Sequence, residues 1–217
     1  MPPTLFCGNC TTECKDYKGH DAEIRVIDDT EIRRWTRGCT LKAIIAAETF
    51  PDPHYAALAG AAIMEAGYKW KEVAVKIKVV HRQKRASFRI MYSDAPPKPG
   101  VLAKAFFPTT GRAKKRTLFL YPGAFADENR DYLAGILAHE LGHVQGLRHE
   151  FETQADGSIR LGRKNRRSVM NYLSDIRKLR VGRQDRKELA MLYSSHVTRS
   201  LGLRIKVLDA PRTRYEY

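Results

Sequence analysis

The chain has 217 residues and carries 39 Lys and Arg against 24 Asp and Glu, a formal net charge of +15. Hydrophobic residues make up 43% and charged residues 29%. That is a globular composition for one domain with short tails, and it excludes a disordered chain. No stretch approaches the roughly 20 apolar residues of a membrane-spanning helix. The start, Met1 to Cys7, has neither a basic region nor an apolar core. The sequence as written therefore carries no secretory signal and reads as intracellular, or as exported by a route or signal not visible in it.

Residues 1–31 read as an irregular segment bearing Cys7, Cys10 and Cys14, with Cys39 just beyond. Several readings of these four cysteines stand open. They can form two disulfides, with three connectivities. They can form a structural zinc site, with His20 in place of one thiolate in a variant of that reading. Cys7 can fold back as an inhibitory thiolate on a catalytic metal, or the thiols can be free.

From Gly38 to Ala47 the alternation of Cys39, Leu41, Ala43 and Ile45 predicts a first strand. Pro51 and Pro53 break the chain, and 54–69 reads as an Ala-rich helix. Val73, Val75, Ile77 and Val79 alternate with Ala74, Lys76, Lys78 and Val80, a half-buried strand with a basic outer face. Phe88, Ile90 and Tyr92 predict the next strand. Two more are predicted at Val101–Phe107 and Thr117–Tyr121, after the loop Pro96–Gly100. Asn129 or Asp131 can cap a helix running to about Gln145. Past Gly146 the chain reads as irregular to about Val181. A last helix at 184–195 puts Leu189, Leu192 and Tyr193 on one face. Residues 196–217 form a basic C-terminal tail with an apolar patch, suited to an edge strand or a docking segment. Sheet and helix first, then a smaller helical end, is an α+β order.

Residues 1–40 are close to neutral, so the basic excess belongs to the body of the chain. It is gathered in clusters such as Arg112, Lys114, Lys115, Arg116 and the run from Arg177 to Lys187. Such a field attracts a polyanion or an acidic partner. Aromatic residues are not interleaved with these clusters as a base-stacking surface needs.

The chemistry is concentrated in His139-Glu140-Leu141-Gly142-His143-Val144-Gln145-Gly146-Leu147-Arg148-His149-Glu150. His139 and His143 are four apart, so a helix projects both from one face onto one ion. Glu140 is rotated about 100° around that helix. It can reach a water on the ion without ligating it. Gly146 permits the positive-φ turn that ends the helix and brings His149 back as a third nitrogen. Three protein ligands leave the fourth position open, as in a catalytic zinc site. Three of the chain's seven histidines fall in this register.

In these residues the chain resembles the metzincin clan of zinc metallopeptidases. Ser168-Val169-Met170-Asn171-Tyr172 is similar to the clan's Met-turn, with Met170 beneath the metal. A Tyr two residues after that Met, and a Glu after the third His (Glu150), look like astacins. Gly100 to Pro108 is similar to the edge-strand segment of matrix-type metalloproteinases, which implies that Leu102 and Ala103 bind substrate. Astacins carry disulfides within the domain, and the absence of cysteine beyond Cys39 sets this chain apart from them.

The resemblance covers about residues 32–195, with an upper part to about 146 and a lower part from about 147. It implies a metzincin-type fold: a twisted, mostly parallel sheet with an antiparallel edge strand, an active-site helix, and a smaller irregular and helical C-terminal subdomain. It implies an endopeptidase in which His139, His143 and His149 hold one Zn2+. Glu140 is then the general base for a zinc-activated water, and Tyr172 helps stabilise the oxyanion. A protein or peptide is the implied substrate. Two other readings use the same residues: a zinc-binding protein that does not cleave, and a basic nucleic-acid-associated protein.

Overall fold

The computed structural model describes residues 23–27, 31–81, 85–151, 158–160, 164–172, 175–194, 199–200 and 203–215. Its main sheet has five strands in the order β4-β3-β5-β7-β6. These are β3 (Thr40–Ile45), β4 (Lys76–Val79), β5 (Phe88–Tyr92), β6 (Ala103–Lys104) and β7 (Thr117–Leu120). β4, β3, β5 and β7 run parallel, and β6 closes one end antiparallel to β7. This is the mostly parallel sheet with an antiparallel edge strand that the resemblance implies.

Helix α1 (Pro53–Lys69) starts where Asp52 accepts a hydrogen bond from the His54 N–H at 2.7 Å, with Pro53 as its first residue. Its inner face is Ala56, Ala59, Ala62, Ile63, Ala66 and Gly67. Small side chains at helical spacing let it pack closely on β4 and on a second long helix, α3 (Leu133–Val144). α3 is buried along its whole length.

The helix expected from Asn129 or Asp131 to Gln145 is two helices. A single turn, α2 (Asp127–Arg130), precedes α3, and Tyr132 stands at the α3 N-cap without a side-chain cap. The Asn129 side chain caps nothing, because it turns inward to the Gly123 carbonyl at 2.8 Å. The strand expected over Val101–Phe107 contracts to Ala103–Lys104. The pairing with the chain after β7 continues one residue back, where the Leu102 carbonyl accepts from the Tyr121 N–H at 3.0 Å, but past Lys104 the Ala105 N–H turns away to the Glu140 carboxylate. The last helix, α4 (Arg183–Leu192), stops three residues short of its expected end.

A second sheet, order β8-β1-β2-β10-β9, joins the two ends of the chain. It contains β1 (Glu23–Ile27), β2 (Glu31–Trp35), β8 (Ser158–Arg160), β9 (Arg199–Ser200) and β10 (Leu203–Leu208). β10 runs parallel to β2, with Arg204 opposite Glu31 and Leu208 opposite Trp35. The apolar patch near the C-terminus is therefore an interior strand, flanked by β2 and β9. Residues 23–27, read from sequence as irregular, form β1, antiparallel to β2 and β8.

This second sheet, through Trp35, and the end of α4, through Tyr193, support the end of α3. The Trp35 indole N–H donates to the Val144 carbonyl at 2.7 Å, and the Tyr193 hydroxyl donates to the Gln145 carbonyl at 2.9 Å. Both are carbonyls that the helix end leaves without an intrahelical partner. Trp70, just past α1, donates its indole N–H to Ala138 at 2.9 Å. Among the described residues no helix is long and apolar enough to cross a membrane.

Candidate metal centre

α3 carries His139 and His143 one turn apart, with their Nε2 atoms 3.2 Å from each other. The helix then ends on Gly146, whose φ is +107°. The Gly146 N–H bonds the His143 carbonyl and the Leu147 N–H bonds the Gly142 carbonyl, both at 2.9 Å. That pair of bonds is a Schellman cap, which reverses the chain and satisfies two orphan carbonyls. A Cβ at Gly146 would lie 3.1 Å from the Arg33 carbonyl oxygen, so the turn is also sterically tight. The reversal brings His149 Nε2 to 3.1 Å from His143 Nε2.

The three side chains are 0%, 1% and 2% exposed. His139 Nδ1 lies 2.7 Å from the Val169 carbonyl, and His143 Nδ1 lies 2.8 Å from the Leu147 carbonyl. A carbonyl only accepts, so each Nδ1 carries the proton and each Nε2 presents a lone pair. Burial holds His143 and His149 well below the usual imidazole range, and the neighbouring histidines and Arg148 push the same way. Neutral rings with converging lone pairs are suited to a cation. Ligand distances of about 2.0–2.1 Å in a tetrahedral site set nitrogens about 3.3 Å apart, close to the separations found here. The three histidines can therefore hold a metal ion.

Glu140 is 1% exposed, and its Oε2 has no hydrogen-bond partner among the described residues. The Ala105 N–H donates to its carboxylate, so the residue after β6 contacts the acid on α3. Burial pushes this carboxyl up to about 8.

Beneath the histidines lies the turn 168–171. Ser168 Oγ donates to Asp185 Oδ1 at 2.5 Å and accepts from the Met170 N–H at 3.0 Å. Asp185 also accepts from the Gly182 N–H at 2.6 Å, so the first turn of α4 anchors this loop. Met170 is buried against α3, where a Cβ at Gly142 would collide with its Sδ. The Met170 carbonyl accepts from the Glu150 N–H at 3.2 Å, tying the turn to the residue after His149. Glu150 is itself buried and accepts from the Asn165 N–H at 3.3 Å. Burial pushes its carboxyl up to about 8, and Glu188 and Asp185 nearby push it the same way.

Tyr172 is half-buried, and its ring centre lies 4.6 Å from that of His149. Phe151 stacks on His149 at 4.8 Å, and Phe107 meets His143 edge-on at 5.4 Å. The Arg148 guanidinium lies over Phe107 at 5.8 Å. Leu102 and Ala103 are buried at the start of β6, the end strand of the main sheet. Sequence reasoning missed Asp185, Ala105, Phe107, Phe151 and Arg148. Phe107 lies within the segment read as an edge strand, Arg148 lies inside the histidine motif, and Phe151 follows it two residues after His149. Asp185 gave no signal beyond that of an N-terminal helix acid.

Cys39 is half-buried and has no disulfide partner among the described residues; burial and the nearby Asp209 push its thiol up to about 11. Cys7, Cys10 and Cys14, and with them the disulfide, structural-zinc and latency readings, lie outside the described residues.

No family model matches the chain, and no curated protein matches it in sequence. Among solved structures it is similar to that of myroilysin, with a TM-score of 0.53 and 13% identity. The match covers 76% of this chain and 97% of the other. At that identity the likeness is one of fold.

Proposed function

We propose that the chain is a zinc-dependent endopeptidase of the metzincin type. The observation that carries this reading is the convergence of three buried histidine nitrogens beside a buried carboxylate whose Oε2 has no partner among the described residues. His139, His143 and His149 would hold the zinc. When bound, zinc supplies Lewis-acid polarisation of the scissile carbonyl and lowers the pKa of water.

Glu140 accepts the proton of the attacking water and delivers it to the leaving amine as the C–N bond breaks. Tyr172 donates its hydroxyl to the oxyanion in this reading. The substrate lies extended beside β6 and pairs its backbone with that strand at Leu102 and Ala103. Met170 and the turn around it hold the histidines from below. The aromatic groups Phe107, Phe151 and Tyr172 limit water at the site.

The test is cleavage of an unstructured protein such as casein by the zinc-loaded chain and by Glu140→Gln. The expected result is cleavage by the wild type and a fall of about 10²–10⁴ in kcat/KM for the variant, with zinc retained. Full activity in zinc-loaded Glu140→Gln would sink the mechanism.

A further inference from the structure

The N-terminal half of α3 borders a second cavity of about 750 Å³, with none of the three histidines in its lining. Its floor is apolar, with Ala134, Gly135, Ile176, Leu179 and Val181. Five cations (Lys69, Lys71, Arg177, Arg180 and Arg186) face two carboxylates (Glu65 and Asp131) around it, a formal net charge of +3. These cations come from the end of α1, from the 3-10 turn Ile176–Lys178 with the strand-like residues after it, and from α4.

Three of the five are engaged. Lys69 pairs with Glu65 at 2.6 Å, Arg177 with Asp175 at 2.8 Å, and Arg186 bonds the Val181 carbonyl at 2.8 Å. Lys71 and Arg180 are exposed and have no partner among the described residues. Lys71 also sits on strained backbone. It and Glu72 have φ of +52° and +51°, left-handed values that two successive non-glycine residues rarely adopt. The Glu72 side chain pairs with Lys76 at 3.6 Å, leaving Lys71 to line the cavity.

We propose that this cavity docks an acidic segment of a protein substrate in which apolar residues stand among the carboxylates. Guanidinium forks accept carboxylates bidentately, which matches the arginines on the rim. The apolar floor matches the side chains between those carboxylates. A uniformly polar polyanion would leave that floor in contact with water. The volume is that of a compact ligand site, sized for a short segment. Gly135 lies one turn, about 6 Å along the α3 axis, before His139, so the cavity and the metal centre share one helix. The word substrate rests on the endopeptidase reading; the binding itself does not.

The test is fluorescence anisotropy with the full chain and a labelled peptide of about six residues alternating Glu and Leu. Its Gln–Leu counterpart is the neutral probe. The Glu peptide is expected to bind at least about tenfold more tightly than the neutral one. The double variant K71E/R180E takes the lining from +3 to −1 and is expected to abolish that binding. K114E/K115E removes the same charge from another exposed cluster and is expected to bind like the wild type. Equal losses in both variants, or no loss in K71E/R180E, would overturn the proposal. So would inorganic polyphosphate displacing the peptide and binding more tightly than it.

Binding is read without turnover, so the two readings fail separately. A chain that binds the peptide but cleaves no casein upholds the site and removes the endopeptidase. A chain that cleaves casein but does not bind the peptide removes only the docking site.

Discussion

The two ends of α3 are built on different physics. Its C-terminal end is held by partners from across the fold: Trp35 on Val144, Tyr193 on Gln145, and the Val169 and Leu147 carbonyls on the two ring nitrogens. Its N-terminal half faces a cavity whose charged groups are mostly exposed and whose cations arrive from three elements. A metal centre needs fixed directions, because ligand bonds and proton transfers fail when atoms shift by tenths of an ångström. A docking cavity needs only shape and field. Substitutions should therefore act on fold and chemistry together at the first end and on binding alone at the second.

The largest expected effect on stability comes from Gly142→Ala. The new Cβ overlaps Met170 Sδ, and Met170 is too buried to move aside freely. We expect a loss of about 3 kcal/mol, the upper end of the range for overpacking. Thermal denaturation of the metal-free protein reads this, at roughly 2–4 °C per kcal/mol for a domain of this size. An unchanged or raised Tm would show that Met170 is not wedged beneath the helix.

A smaller loss is expected from Trp35→Phe. The Val144 carbonyl would be left buried without its indole donor, at about 2 kcal/mol. The variant should also bind metal more weakly, since the cap holds the helix end that carries His143. Unchanged metal affinity would separate the second sheet from the centre.

The smallest effect is at Cys39. With Cys7, Cys10 and Cys14 replaced by Ser, iodoacetamide should alkylate Cys39 slowly at pH 8. The rate should rise toward pH 11, not 9, because burial and Asp209 disfavour the thiolate. The thiol's folded pKa lies above its ordinary value. Its contribution to stability is therefore present below about pH 9 and is lost as the pH rises toward 11. A rate midpoint near 9 would mean that the thiol is more exposed than described.

The readable parts of the sequence were those in which local spacing sets geometry. His139 and His143 four apart, then Gly146 and His149, translate directly into one helix face and one reversed turn. The Ala-rich spacing over 54–69 reads as α1, which in the structure starts one residue earlier, at Pro53. The strand at Phe88–Tyr92 follows its alternation. What stayed hidden depends on partners distant in the chain. β10 pairs with β2 across some 170 residues, and no local pattern selects that partner. Asp185 reads as an ordinary acid in the first turn of a helix, and only the packing reveals its bond to Ser168. The edge strand is short because the Ala105 N–H turns to Glu140, a contact between two motifs read separately. The basic cavity draws on α1, 176–181 and α4, so its charge reads in sequence as separate solvated clusters.

The most direct test of the central claim is metal content. Protein purified without chelator would be analysed by mass spectrometry, wild type beside His143→Ala. The account predicts one zinc per chain in the wild type, lost in the variant while its circular dichroism is unchanged. A wild type without zinc, or zinc undiminished in His143→Ala, would contradict it.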